Sequence, residues 1–253
     1  MGSNNNFIVW FECCEANMVM KKTFADSVIR FNKELSLNIP LPKTIVAMNP
    51  FQNNGGAIQL MKSFYKKFYD DRKKRFFIIG INPGRFGAAV TGVPFTDTKR
   101  LTIACGIPCK GKETHEPSSV FIYDMIQAFG GTQVFYQHFY INSIVPLGFS
   151  KQTSANKFVN FNYYDDKDLQ TALNPFILQS LQQQIHFGIY THTAFCLGSG
   201  KNYKYIQQLN KEFNFFQKII PLEHPRFIMQ YRQKQKQLYV EKYVQTFYET
   251  LLF

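Results

Sequence analysis

Residues Phe76 to Ile79 are four consecutive apolar residues, and the chain runs from them into GINPGRFGAAVTGVPF, Gly80 to Phe95. A short apolar run of this kind reads as a strand buried on both faces. The segment after it is a strand-to-helix connection built from backbone specialists. Gly80, Gly84, Gly87 and Gly92 permit positive φ and close approach of the backbone to another group. Pro83 and Pro94 stiffen the loop.

The rest of the chain repeats the alternation. Helical spacing of apolar residues covers 17–36 and 57–70, and helices are expected over 98–105, 118–129, 166–185 and 201–212, with a polar helix from about Arg232. Val134 to Ile141, Tyr190 to Leu197 and Phe216 to Ile220 read as three further strands. Strands alternating with helices define an α/β fold, a mostly parallel four-stranded sheet with helices on both faces. The 253 residues suit one domain over 1–253, with an N-terminal helical extension at about 1–70. Sites in such folds lie beyond the carboxyl ends of the strands. The segments there are the glycine-rich loop, NSIVPLGF, GSGKN and PLEHPRFIMQYR, which hold the unusual residues of the chain.

Charge narrows the partner. A net charge of +12, with basic stretches over 62–75 and 232–242, favours a polyanion such as nucleic acid. No apolar run reaches the length of a membrane span and no secretory signal opens the chain, so no membrane is expected. Five cysteines, an odd number, suggest a reducing cytosol. Cys105 and Cys109 lack a second pair at zinc spacing, so no metal and no cofactor are expected.

Individual residues leave two readings each. Asn82 can orient a water through its carbonyl oxygen, or simply make a turn before Pro83. Asn142 offers an acceptor and two donors, enough to read an amide-like base edge, or it ties down a loop. His224 can donate to a developing negative charge, or bond to nearby backbone. Phe95 is a stacking platform or a core residue. Ser199 and Gly200 open a helix beside Lys201 and suit a phosphate, although GSGK fails the P-loop pattern.

Gly80 to Phe95 resembles the first motif of the single-strand-selective monofunctional uracil-DNA glycosylases, close to G-M-N-P-G-P-F-G-x-x-x-T-G-V-P-F, without a gap. NSIVPL resembles that family's base-reading segment, and HPRFIMQYR stands where it has a His-Pro motif. The likeness covers about residues 75–232. Arg85 replaces a proline, one extra residue separates Asn142 from Pro146, and RFIMQYR replaces a proline- and asparagine-rich wedge, as in a divergent bacterial-type branch. The resemblance implies a three-layer α/β/α sandwich and a monofunctional glycosylase. Such an enzyme flips uracil or a related deaminated or oxidised base from single- or double-stranded DNA and leaves an abasic site. Asn82 would hold the attacking water and His224 would stabilise the leaving base. Gly84 and Phe86 would line the pocket, Phe95 would stack on the base and Asn142 would read its edge. Ser199, Lys201, Arg226 and Arg232 are the expected DNA contacts. The expected setting is a monomer in the bacterial cytoplasm, associated with the nucleoid. A non-catalytic nucleic-acid-binding module and a small-molecule nucleoside hydrolase are the alternatives.

Overall fold

The computed structural model describes residues 22–52, 55–85, 87–111, 113–155 and 157–252. The first helix, α1 (Phe24–Glu34), opens on a capping box: Thr23 accepts from the Asp26 backbone, and the Asp26 carboxylate accepts from the Thr23 N–H. A strand β1 (Ile45–Met48) and helix α2 (Gly55–Phe68) lead into β2 (Arg75–Gly80), whose six residues are all buried. Three helices come after the glycine-rich loop: α3 (Ala88–Thr91), α4 (Thr98–Ile103) and α5 (Pro117–Ala128). Then come α6 (Gly131–His138), β3 (Phe139–Ser143), β4 (Gly148–Gln152), β5 (Phe158–Phe161) and α7 (Lys167–Ile185). The chain closes through β6 (Ile189–Leu197), α8 (Lys201–Phe213), β7 (Lys218–Leu222), α9 (Pro225–Tyr231), a 3-10 turn (Gln233–Gln235) and α10 (Lys236–Leu251).

The central sheet has the order β3-β2-β6-β7, and every pairing in it is parallel. Gly80 is in register with Ser143, Ile79 with Cys196, and Leu197 with Leu222, so the four strands end level with one another. Aromatic side chains fill both faces. Phe24 of α1, Tyr65 of α2 and Phe187 after α7 pack around Tyr140 on one face. Phe129, Phe135 and Phe247 pack around Phe139 on the other. This is the expected three-layer α/β/α arrangement, and it explains where the chain spends its aromatic residues: stacked and edge-on rings close-pack between helix and sheet.

Two expectations need correction. The strand expected over 134–141 is α6 followed by β3. Gly130 and Gly131, both at positive φ, start a new helix there. The neighbours Phe135 and Tyr136 are both buried, which a helix wedged beside the sheet edge achieves. Phe135 meets Phe139, while Tyr136 meets Phe64, Phe68 and Tyr69. The N-terminal stretch is also not wholly helical, since β1 lies between α1 and α2. Residues 1–21, including the start of the helix expected from residue 17, fall outside the described residues. The sequence reading also misses a second sheet, antiparallel, of order β1-β4-β5. It lies beside the mouth of the glycine-rich loop, where Arg85 Nη1 donates to the Phe158 carbonyl at 2.7 Å.

Candidate active site

A cavity of about 650 Å³ opens at the carboxyl ends of β2 and β3, between the glycine-rich loop, the end of β5 and α9. Asn82, Gly84, Phe95, His224 and Arg226 all line it. A second groove of about 530 Å³, between α1 and α7, contains none of the expected site residues.

Asn82 is pinned by the small sheet. Its Nδ2 donates to the Phe161 carbonyl at 3.2 Å, and its Oδ1 accepts the Tyr163 N–H at 3.2 Å. Both contacts come from the end of β5 and the turn after it, so the carboxamide has a fixed orientation. Its oxygen retains a second lone pair for a water.

Phe95 carries a φ of +51°, a costly conformation for a bulky residue. Its surroundings impose it. Thr91 Oγ1 donates to the Thr96 carbonyl at 2.6 Å, the Thr96 N–H donates to the Val93 carbonyl, and the Thr96 hydroxyl meets the Tyr123 hydroxyl at 3.0 Å. The ring lies over Gly80, where an added Cβ would stand 3.1 Å from Phe95 Cε2. Gly80 is therefore needed for the room it leaves. Asp97 proves structural: it caps α4 by accepting the Arg100 N–H at 2.8 Å, and its other oxygen accepts the Glu116 N–H at 2.7 Å.

His224 is the N-cap of α9, and its Nδ1 accepts the Arg226 backbone N–H at 3.1 Å. Pro225 supplies the helix's first residue, where a missing N–H costs nothing. Burial, and secondarily the Arg226 charge, push the His224 pKa down to about 4. The ring is thus neutral at pH 7. A neutral imidazole whose Nδ1 accepts must carry its proton on Nε2. His224 is therefore a neutral Nε2–H donor at the cavity.

The other expected residues are distributed around this centre. Asn142 is buried at 4% exposure, with Nδ2 donating to the Tyr140 hydroxyl at 2.7 Å and Oδ1 accepting the Ser143 N–H at 2.8 Å. It borders a small recess that shares Pro83, Ala88 and Pro94 with the main cavity, while Ser143 lines the cavity itself. Each end of its carboxamide still has one hydrogen-bonding site free of these two contacts. Ser199 and Lys201 line an adjoining cleft that shares Tyr164, His224 and Phe227 with the main cavity. Arg232 stacks its guanidinium over the Phe227 ring, 5.5 Å from the centroid. Phe86 lies outside the described residues.

Several lining residues were not anticipated from sequence. Asn160, Phe161 and Asn162 form a wall contributed by β5 and the turn after it, and Tyr164 stands beside them. The spacing of Asn160 and Asn162, one near the end of β5 and one just after it, was the one available sign. Glu116, at the start of α5, is the other missed residue and the only carboxylate lining the cavity among the described residues. Among those residues, no group of three His, Cys, Asp or Glu side chains could hold a metal ion, and no helix is long and apolar enough to cross a membrane.

The level ends of this parallel α/β sheet thus bring together a glycine-rich loop, the Phe95 ring and the neutral His224 ring on one cavity. The profile of the Uracil DNA glycosylase superfamily matches residues 66–248, and the chain belongs to that superfamily. The solved structure of wild-type Pedobacter heparinus SMUG2 is similar to it at 50% sequence identity, with a TM-score of 0.89, covering 91% of this chain and 99% of that one. The rat single-strand selective monofunctional uracil-DNA glycosylase is 28% identical over 151 residues, and the mouse protein of the same description 27% identical over 151. Each alignment covers 53% of this chain and 52% of the relative, so the chain spans about half the length of these curated relatives.

Proposed function

We propose that the protein is a monofunctional DNA glycosylase. It takes uracil, or a related deaminated or oxidised base, out of the helix and hydrolyses its N-glycosidic bond. The observation that carries this reading is the meeting of Asn82, Phe95 and neutral His224 on one cavity. Extracting a base costs a few kcal/mol, and stacking on an aromatic ring returns about 1–3 kcal/mol. Phe95 is placed to supply that stacking, with its ring centroid 5.8 Å from that of His224.

The bond from C1′ to the base nitrogen breaks with its electron pair leaving on the base. Positive charge then develops on the sugar and negative charge on the base oxygens. The His224 Nε2–H donates to that oxygen, and it helps more as charge grows than before, which lowers the barrier. A cationic sugar needs no strongly basic attacking group. Asn82 can therefore serve by orienting water, whose oxygen bonds to C1′ and whose proton passes to solvent. Among the described residues no lysine lines the main cavity, which favours hydrolysis over a Schiff-base lyase step. Asn142 would read the base edge from behind the pocket, with Gly84 lining it. Ser199, Lys201, Arg226 and Arg232 would hold the flanking strand. One chain supplies every group named, so the working unit is taken as a monomer, acting on DNA at the nucleoid.

The test is release of base from a panel of single- and double-stranded oligonucleotides carrying uracil, hypoxanthine, xanthine or an oxidised pyrimidine. The expected result is an alkali-labile abasic strand with no borohydride-trapped adduct. Release from free nucleoside but not from oligonucleotide would instead support a nucleoside hydrolase. Binding without release from any substrate would support a non-catalytic module.

A further inference from the structure

Glu116 occupies the N-cap position of α5, yet its carboxyl makes no capping bond to that helix. It turns to the glycine-rich loop instead. A Cβ built on Gly87 would meet Glu116 Oε2 at 2.0 Å and Cδ at 2.8 Å, and one built on Gly84 would meet Oε1 at 3.1 Å. Gly87 has a φ of −114°. A side chain at this position would have to displace the carboxyl from where it lies. Two glycines of one turn thus lie against a single carboxyl from an element about thirty residues further along the chain.

The other side of Glu116 is anchored too. Its backbone N–H donates to Asp97 Oδ2 at 2.7 Å, two residues beyond Phe95. Its side chain touches the start of the glycine-rich segment while its backbone is held by the residue just past the end. Ser119 Oγ donates to Oε2 at 3.3 Å. Burial raises the carboxyl above the usual range, and the neighbouring Asp97 also raises it, while the Ser119 hydrogen bond and the Arg226 charge act in the opposite direction. A surface carboxylate left to solvation alone has no reason to be placed this way. Asn82 is two residues past the end of β2 and two before Gly84, in the segment that runs into the turn.

We propose that the Glu116 carboxyl is a strut that sets the Gly84–Gly87 turn, and through it Asn82, in the arrangement needed for attack on the glycosidic bond. Glu116 is on this account a positioning residue of the active site. The inference rests on the glycosylase reading given above. It accounts for the separation between shape and chemistry in the loop: the glycines make the slot, and Glu116 fills it.

The experiment measures three quantities for each variant: the single-turnover rate on uracil-containing oligonucleotide, the Kd for a duplex carrying a non-cleavable deoxyuridine analogue, and Tm. Glu116→Ala should slow the rate on the order of 10²-fold, as small misplacements of attacking groups do. The Kd should change by less than about 3-fold and Tm should stay close to wild type, as a local shift in positioning predicts. Glu116→Gln, which keeps shape and an acceptor, should recover most of that loss. Gly87→Ala expels the carboxyl and should reproduce the defect, and adding Glu116→Ala to it should cost little more, because both remove one contact. A wild-type rate in Glu116→Ala overturns the proposal. So does a Glu116→Gln rate as slow as Ala, which would assign the carboxylate to the chemistry itself. So do losses at 87 and 116 that multiply, or a rate that falls only in step with Tm. A wild-type protein that releases no base from any oligonucleotide defeats the glycosylase reading instead, and is recognised before any variant is made.

Discussion

Phe95 and His224 face one another across the cavity, ring centroids 5.8 Å apart and planes inclined at 51°. One comes from the loop after β2 and the other from the turn after β7, strands that are not neighbours in the sheet. A flat ligand lying on Phe95 would present its edge to the His224 Nε2–H. The two side chains would then act on one base, one through its face and the other through its edge.

Asn82→Ala and His224→Ala should each slow base excision by roughly 10²-fold or more, the usual loss for one preorganised polar group. DNA binding should persist, because the cationic contacts lie outside these two positions. Single-turnover rates with binding measured in parallel check this. Near-normal rates in both variants would remove Asn82 and His224 from the mechanism.

The pH dependence derives from the depressed His224 pKa. With a folded value of about 4, the ring stays neutral across the near-neutral range, so the rate should show no step near pH 6.5. A rate that fell on lowering the pH from about 7 to about 6 in the wild type, but not in His224→Gln, would place a protonated His224 in the titration and reject the neutral donor. Stability moves in a definite direction. Between about 6.5 and 4 the unfolded chain binds a proton at His224 that the folded chain refuses. This contribution is complete above the unfolded value and is lost as pH falls toward 4. The denaturant midpoint of the wild type should therefore fall relative to that of His224→Gln as the pH is lowered through that window.

Phe95→Leu keeps apolar bulk and loses the flat face. If stacking contributes about 1–3 kcal/mol, excision should slow by about 5-fold or more. The positive φ of Phe95 predicts a second effect: Phe95→Gly relieves backbone strain of about 1–3 kcal/mol while removing the platform. Thermal melts and rates on the same two variants test whether stability and activity separate in this way.

Arg75 offers a stability test away from the cavity. It is fully buried, ion-paired to Asp71 at 2.8 Å, hydrogen-bonded to the Tyr136 carbonyl, and flanked by the rings of Phe24 and Tyr69 at 4.8 and 4.7 Å. Arg75→Ala should destabilise by about 3 kcal/mol or more, because it orphans buried carbonyls and opens a cavity. Arg75→Lys should restore only part, lacking the planar fork that serves several acceptors at once. Chemical denaturation of the three proteins decides it.

The inner strand β2 was legible in the sequence because all six of its residues are buried, and the continuous apolar run Phe76 to Ile79 signals that burial directly. The carboxyl ends of the expected strands pointed to the loops that hold Asn82, Phe95 and His224, and the family resemblance then supplied the expected roles. The small sheet was not legible. β1, β4 and β5 are four or five residues long, range from the mostly buried β4 to the mostly exposed β5, and mix Lys151, Gln152 and Asn160 with apolar residues, so no period stands out. α6 was misread because the aromatic residues that pack it are strand formers by composition. Glu116 escaped notice because its meaning lies in the side chains that Gly84 and Gly87 lack, which is a spatial relation and not a local one. In the segment after Pro225, only the structure separates Ile228, fully buried, from the half-exposed Phe227.

The final expectation concerns that segment. Removing a base from a duplex leaves a gap, which must be filled or the base returns. Phe227 and Tyr231 are 41% and 61% exposed, with ring centroids 5.6 Å apart on one face of α9, and Arg226 is exposed beside them at the cavity. Two solvent-facing aromatic rings have apolar bulk to replace lost stacking, and Arg226 and Arg232 would supply charge for flanking phosphates. Arg226→Ala should therefore slow excision from duplex DNA more than from single strands, which need little prying apart. Tyr231→Ala should show the same bias, and Ile228→Ala should instead lower stability, since that side chain is core. Both single-turnover rates are to be measured at one fixed salt concentration, because phosphate contacts weaken with salt. An equal loss on both substrates would make Arg226 a general phosphate contact and exclude a wedge built on α9.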